Sequence, residues 1–153
     1  MKLDLERFTP GKQLRGYDDE ETAKLKALLE RAKTWISDHE WCESILDDYY
    51  AFGIGDIIGI FLFHLRITRA RQGWAWVIVG DLPSAYVVAD DAETPKAALV
   101  AYCELMQDWV NAVREGKDLS TVYPVGVTPN EEHASMLESR VKILLECTVH
   151  EIE

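Results

Sequence analysis

Apolar positions recur with different periods in different parts of the chain, and the periods predict its elements. Leu25, Leu28, Leu29, Ala32, Trp35 and Ile36 repeat at three- and four-residue spacing, the stripe of an amphipathic helix. Asp18, Asp19, Glu20 and Glu21 stand at its start, where negative charge complements the positive end of the helix dipole. A second helix, or a continuation past a bend at Ser37–Asp38, is expected to turn Trp41, Ile45, Leu46, Tyr49 and Phe52 inward and to stop at Gly53 or Gly55.

The period then shortens to two. Ile57–Arg69 is rich in β-branched and aromatic residues, as a strand is. One of its faces is apolar almost throughout, and the other passes from Ile58, Ile60 and Leu62 to His64, Arg66 and Thr68. That change predicts a strand covered on both sides at one end and open at the other. A connection at Ala70–Gly73 leads into Trp74–Gly80, and the turn Gly80–Ser84 leads into a third strand at 84–89. A four-residue connection sets Ile67 opposite Trp76, and a three-residue one sets Thr68 there. That register decides whether the tryptophans lie in the core or on a surface.

Helical spacing returns after Thr94-Pro95, a capping threonine followed by proline at the first helical position. Ala98, Leu99, Tyr102, Leu105, Met106, Trp109, Val110 and Val113 form its stripe, and Gly116 follows its end. Residues 117–127 read as a loop with an edge strand possible at Thr121–Val127, and Thr128-Pro129-Asn130-Glu131 starts a last helix ending near His150. The reading is an α+β fold: a three-stranded antiparallel meander (57–69, 74–80, 84–89) with two N-terminal and two C-terminal helices packed on one face. A chain of 153 residues forms a single domain, 1–153, with 1–17 as an extended arm docked through Leu3, Leu5 and Phe8.

Charge narrows the classes of function. A net charge of −11 argues against nonspecific binding to nucleic acid or to anionic membrane, and favours a basic protein partner or a merely solvated surface. Residues 17–56 hold 11 acidic and 4 basic groups, whereas 57–80 hold Arg66, Arg69 and Arg71 and no acid. No apolar run is long enough to span a bilayer, and the N-terminus has no secretory pattern. Cys42, Cys103 and Cys147 lie far apart with no C-x-x-C, so reduced thiols in a cytoplasmic protein are expected.

Few motifs carry chemistry. Gly53-x-Gly55-x-x-x-Gly59 leaves a helix and enters a strand, the reverse of a dinucleotide loop, and no cofactor is expected. His39, His64, His133 and His150 form no metal-ligand spacing. His64 and Arg66 share one face of the strand, where Arg66 can hold an anion and His64 can move a proton. Asp81, in Gly80-Asp81-Leu82-Pro83-Ser84, serves as a turn residue or a base. With Trp74, Trp76 and Tyr86 these complete the candidate ligand or partner site: His64, Arg66, Trp74, Trp76, Asp81 and Tyr86. No catalytic set is assigned.

WVIVGDLPSAYVV, TPKAALVAYCELMQDWVNAVREGKDL and YPVGVTP together resemble an uncharacterised family of small acidic bacterial proteins, over about half the chain. The resemblance implies a bacterial cytosolic protein and no activity. The expected function is a non-catalytic interaction module, of inhibitor or immunity type in one version. The alternatives are a ligand-binding protein or enzyme on the open end of the sheet, and a structural homodimer joined by a sheet face or by the Trp109 helix.

Overall fold

The computed structural model describes residues 3–152; Met1, Lys2 (the start of the expected arm) and Glu153 lie outside the described residues. The fold is α+β, built on one five-stranded antiparallel sheet with the strands in chain order. The strands are β1 (Thr9–Pro10), β2 (Cys42–Ile54), β3 (Ile58–Ile67), β4 (Arg71–Gly80) and β5 (Ala85–Val88). Helix α1 (Asp19–Ser37) precedes β2, and α2 (Pro95–Glu115) and α3 (Glu131–Ile143) follow β5. From α3 the chain continues through a wide turn at Leu144–Thr148 into the short α4 (Val149–Glu151).

The helices cover both faces of the sheet, where one covered face was expected. Leu25, Leu28, Leu29, Ala32 and Ile36 of α1 pack on Phe61, Phe63, Leu65, Ala75, Val77 and Val79. The opposite face, with Ile58, Ile60, Leu62, Trp76, Ile78, Ala85 and Val87, receives α2, and α3 packs on α2. Each fully buried Leu, Ile or Phe contributes about 1.5–3 kcal/mol, so both layers are needed to hold the sheet.

Residues 42–54 form a strand where a helix was expected. The register of β2 against β3 shifts at Cys42/Ser44, Ile45/Asp47 and Tyr50/Phe52. Each bulge adds a residue and resets the two-residue alternation. The apolar residues Ile45, Tyr49 and Phe52 are spaced like a helix turn, but Ile45 packs on the α1 side of the sheet and Tyr49 and Phe52 on the α2 side. Ahead of β2, Leu3, Leu5 and Phe8 pack against the α2-side core, Phe8 edge-on to Trp76 with ring centroids 5.4 Å apart.

The β3–β4 turn also differs from the expectation. It lies at Thr68–Ala70, so Leu62 faces Trp76, His64 faces Trp74, and Gly73 sits inside β4 opposite Leu65. Arg69 and Ala70 both have positive φ, 65° and 58°, a conformation that Asn-Gly usually announces. Arg-Ala supplies no such signal, and Gly73 drew the expected turn three residues too late. Trp76 is fully buried in this register, and its Nε1–H donates to the Ala92 carbonyl at 2.7 Å.

Capping follows the sequence more closely. Thr94 Oγ1 accepts the Ala97 N–H at 3.1 Å, and Gly116 closes α2 with φ 65°. The last helix begins two residues later than Thr128-Pro129 suggests, because Asn130 Oδ1 takes the His133 N–H at 2.9 Å. Thr121–Val127 does not join the sheet, which leaves β5 at its edge.

Gly80 ends β4 with φ 148°, and a Cβ there would run into the Ile57 carbonyl. Gly80→Ala is expected to cost about 1–3 kcal/mol, read as a lower midpoint in urea unfolding; an unchanged midpoint contradicts this account of the turn.

Candidate functional site

The β4–β5 turn forms the floor of a groove of about 1210 Å³. Its walls come from both layers of the fold. Arg31, Trp35 and His39 line it from α1 and the residues just beyond, His133, Met136 and Arg140 line it from α3, and Tyr123–Val127 close the rim. Arg31, Trp35 and His39 recur every four residues, so they form one stripe beside the face that α1 buries.

Two arginines hold the turn from opposite sides. Arg31 Nη1 donates to the Gly80 carbonyl at 2.9 Å, and Arg140 Nη1 pairs with Asp81 Oδ2 at 2.9 Å. Asp81 thus holds the turn to α3. With its side chain 74% exposed, that pair contributes at most about 1 kcal/mol.

The α1-side wall is aromatic. His39 lies between Trp35, Trp41 and Tyr86, with ring centroids 4.6, 5.1 and 5.5 Å away, and Tyr86 also meets Tyr123 at 6.0 Å. His39 Nδ1 faces the carbonyls of Trp35 (3.0 Å) and Ile36 (3.2 Å), so it carries the proton and caps the end of α1. His133 Nδ1 likewise donates to the Thr128 carbonyl at 2.7 Å. Both rings are oriented by backbone.

The edge of β5 borders this groove. Tyr123 Oη accepts the Tyr86 N–H at 3.2 Å, so the N–H of Tyr86 points away from β4. Antiparallel alternation then turns the backbone groups of Tyr86 and the N–H of Val88 outward and the backbone groups of Ala85 and Val87 toward β4. The groove also carries exposed apolar side chains: Ile57 at 55%, Met136 at 54% and Val127 at 44%.

Of the six residues expected to form one site, five fall in two places and Trp76 lies in the core. His64 and Trp74 stack face to face, 4.3 Å between centroids and 6° between planes, and His64 Nδ1 lies 3.3 Å from Asp47 Oδ2. Arg66 is exposed on the same face, next to Gln72, while Trp76 belongs to the core. Asp81 follows Gly80, which pairs with Ile58, six residue pairs along the ladder from His64–Trp74. At about 3.4 Å per residue that is ~20 Å. Tyr86 faces α1, on the other side of the sheet from His64.

Asp81 and Tyr86 therefore belong to the groove, and His64, Arg66 and Trp74 to the far end of the ladder. The groove residues without a sequence motif (Arg31, Trp35, His39, Tyr123, His133 and Arg140) come from three separate segments. Only the four-residue repeat of Arg31, Trp35 and His39 was available as a signal.

Among the described residues, no histidine at either place is hydrogen-bonded to a hydroxyl or thiol, and no three His, Cys, Asp or Glu side chains are placed to hold a metal ion. Burial raises the Cys42 thiol and pushes the Cys103 thiol up to about 12, which keeps both protonated at neutral pH. No helix among the described residues is long and apolar enough to cross a membrane.

Burial also pushes the Tyr123 hydroxyl up to about 12, from an ordinary value of 10.0. The folded chain holds this proton more tightly than the unfolded chain. Its contribution to stability is fully present below pH 10 and is lost as pH rises toward 12. Tyr123→Phe is expected to remove one phenolate from the last phase of a spectrophotometric titration; an unchanged late phase contradicts the burial.

No family model, no curated protein and no solved structure matches the chain.

Proposed function

We propose that this chain is a non-catalytic module that binds a basic protein partner through the groove beside β5. The observation that carries the reading is an exposed apolar and aromatic surface against an unpaired sheet edge, on a molecule of net charge −11. Exposed apolar side chains gathered in a groove are a common feature of interaction sites. At about 1210 Å³ the groove also exceeds the roughly 300–1,000 Å³ of small-molecule pockets, which favours a polypeptide occupant. The acidic surplus would steer a basic partner toward it. Neutralisation of a basic target, as an inhibitor or immunity-type protein does, is one form of such a module.

The other readings have less support. A ligand site that combines His64 with Asp81 would have to bridge ~20 Å of strand. A homodimer seam on Trp109 or on a sheet face would use surface already inside the monomer, since Trp109 is 2% exposed and both faces are covered by helices.

A photo-crosslinking residue placed at Met136, with the same residue at Ile143 as a control, tests the reading in the cell that makes the protein. Met136 lines the groove, whereas Ile143 is exposed outside it. A basic protein is expected to crosslink at Met136 and not at Ile143, and to be lost when Val127→Asp is added. Equal labelling at both positions, or no protein adduct at Met136, contradicts the proposal.

A further inference from the structure

The two edges of the sheet differ. The edge at β2 is poorly suited to accept another strand. It is interrupted by three bulges, carries Glu43, Asp47 and Asp48, and is partly covered where β1 pairs with Tyr49 and Tyr50. The edge at β5 has none of these devices. Ala85-Tyr86-Val87-Val88 is uncharged, lacks proline and pairs with β4 in unbroken register. Among the described residues, its outer edge carries a hydrogen bond from the Tyr86 N–H to a side chain, the Tyr123 hydroxyl.

From this asymmetry we infer that the groove takes an extended, basic segment of the partner, which adds to the sheet as a sixth strand beside β5. The inference rests on the reading of the groove as the partner surface and specifies how the partner sits there. The Tyr86 carbonyl and the Val88 N–H offer hydrogen bonds to an incoming strand, whereas the Val88 carbonyl opens the 3-10 turn at Ala89–Asp91, and the Tyr86 N–H becomes available when the Tyr123 hydroxyl withdraws. One hydrogen bond replaces another in that exchange, so opening the edge costs little.

Charge selects the segment. Asp81 precedes β5, Asp90, Asp91 and Glu93 follow it, and residues 81–94 contain no Lys or Arg. All four acids are exposed. The groove's own arginines are already engaged, Arg140 by Asp81 and Arg31 by the Gly80 carbonyl. A strand with Lys or Arg at alternate positions meets Asp90, Asp91 and Glu93 at the C-terminal end of β5, while Asp81 at the other end is already paired with Arg140. A second copy of this chain would bring its own acids against these.

Val88 allows the hydrogen-bonding edge to be changed without disturbing the fold. Its N–H points outward, its φ is −62° and its ψ 131°, and proline holds φ near −65°. Val88→Pro therefore removes an outer-edge donor and leaves the β4–β5 ladder whole. Val88→Ala removes the side chain and keeps the donor.

The probe is a bead-bound library of octapeptides in which Lys or Arg alternates with a randomised residue, matched by a library with Glu in the fixed positions. The wild-type chain is expected to select from the basic library only. The selected peptides should bind Val88→Pro at least about fivefold more weakly and Val88→Ala within about twofold. Equal binding to wild type and Val88→Pro overturns strand addition; if Val127→Asp still abolishes that binding, the groove reading survives. Selection of Glu peptides, no selection at all, or sedimentation of the free chain as a dimer that Val88→Pro dissociates overturns the basic segment as occupant.

Discussion

The alternation of β3 sets the constraint on which the rest of this structure depends. Ile58, Ile60 and Leu62 point to one side of the sheet, Phe61, Phe63 and Leu65 to the other, and all six are buried. A strand of this kind is stable only with a layer on each face. Helix α1 supplies one layer and α2, backed by α3, the other. With both faces used for stability, the ends and edges of the sheet remain for contact with other molecules.

The layers also shape the groove. Because α1 and α3 lie on opposite sides of the sheet, their side chains reach past the β4–β5 turn and enclose a space that neither layer fills. Arg31 and Arg140 fix the turn from the two sides, and the Gly80 backbone approaches Ile57 closely enough to exclude any side chain. The floor of the groove is thus the most constrained part of the hairpin. Its rim, Tyr123–Val127, has no regular structure and holds the edge through a single side-chain bond. A rigid floor beside a lightly held rim suits a surface that must be complete before its partner arrives and open when it does.

How much of this was legible in the sequence depended on whether local signals agreed with tertiary ones. Helices α1 and α2 were legible because capping residues and a full apolar stripe coincide at Asp18 and at Thr94-Pro95. The meander was legible in β3 to β5, and the passage of β3 from covered to open appears as Leu62 buried, His64 half-buried and Arg66 exposed. Strand β2 was not legible, because Ile45, Tyr49 and Phe52 are spaced like a helix turn, and only pairing with β3 across three bulges shows that Ile45 faces α1 while Tyr49 and Phe52 face the α2 side. The hairpin register was missed because Arg69-Ala70 takes positive φ without the residues that usually mark it. Asp81 and Tyr86 were singled out and do lie at the groove, but the length of β4 keeps Asp81 from His64, and Tyr86 lies on the opposite face of the sheet. The groove itself is assembled from α1, the 123–127 segment and α3, and no local pattern links segments so far apart.

The central claim is that recognition occurs at the β5 edge because the rest of the sheet is committed to the core. Amide hydrogen exchange across the whole chain, with the crosslink-identified partner present and absent, tests it most directly. The account predicts that new protection is confined to β5, residues 123–127, the C-terminal turn of α1 and the groove-lining part of α3 around Met136. Protection along the outer edge of β2, or around His64 and Trp74, would contradict it.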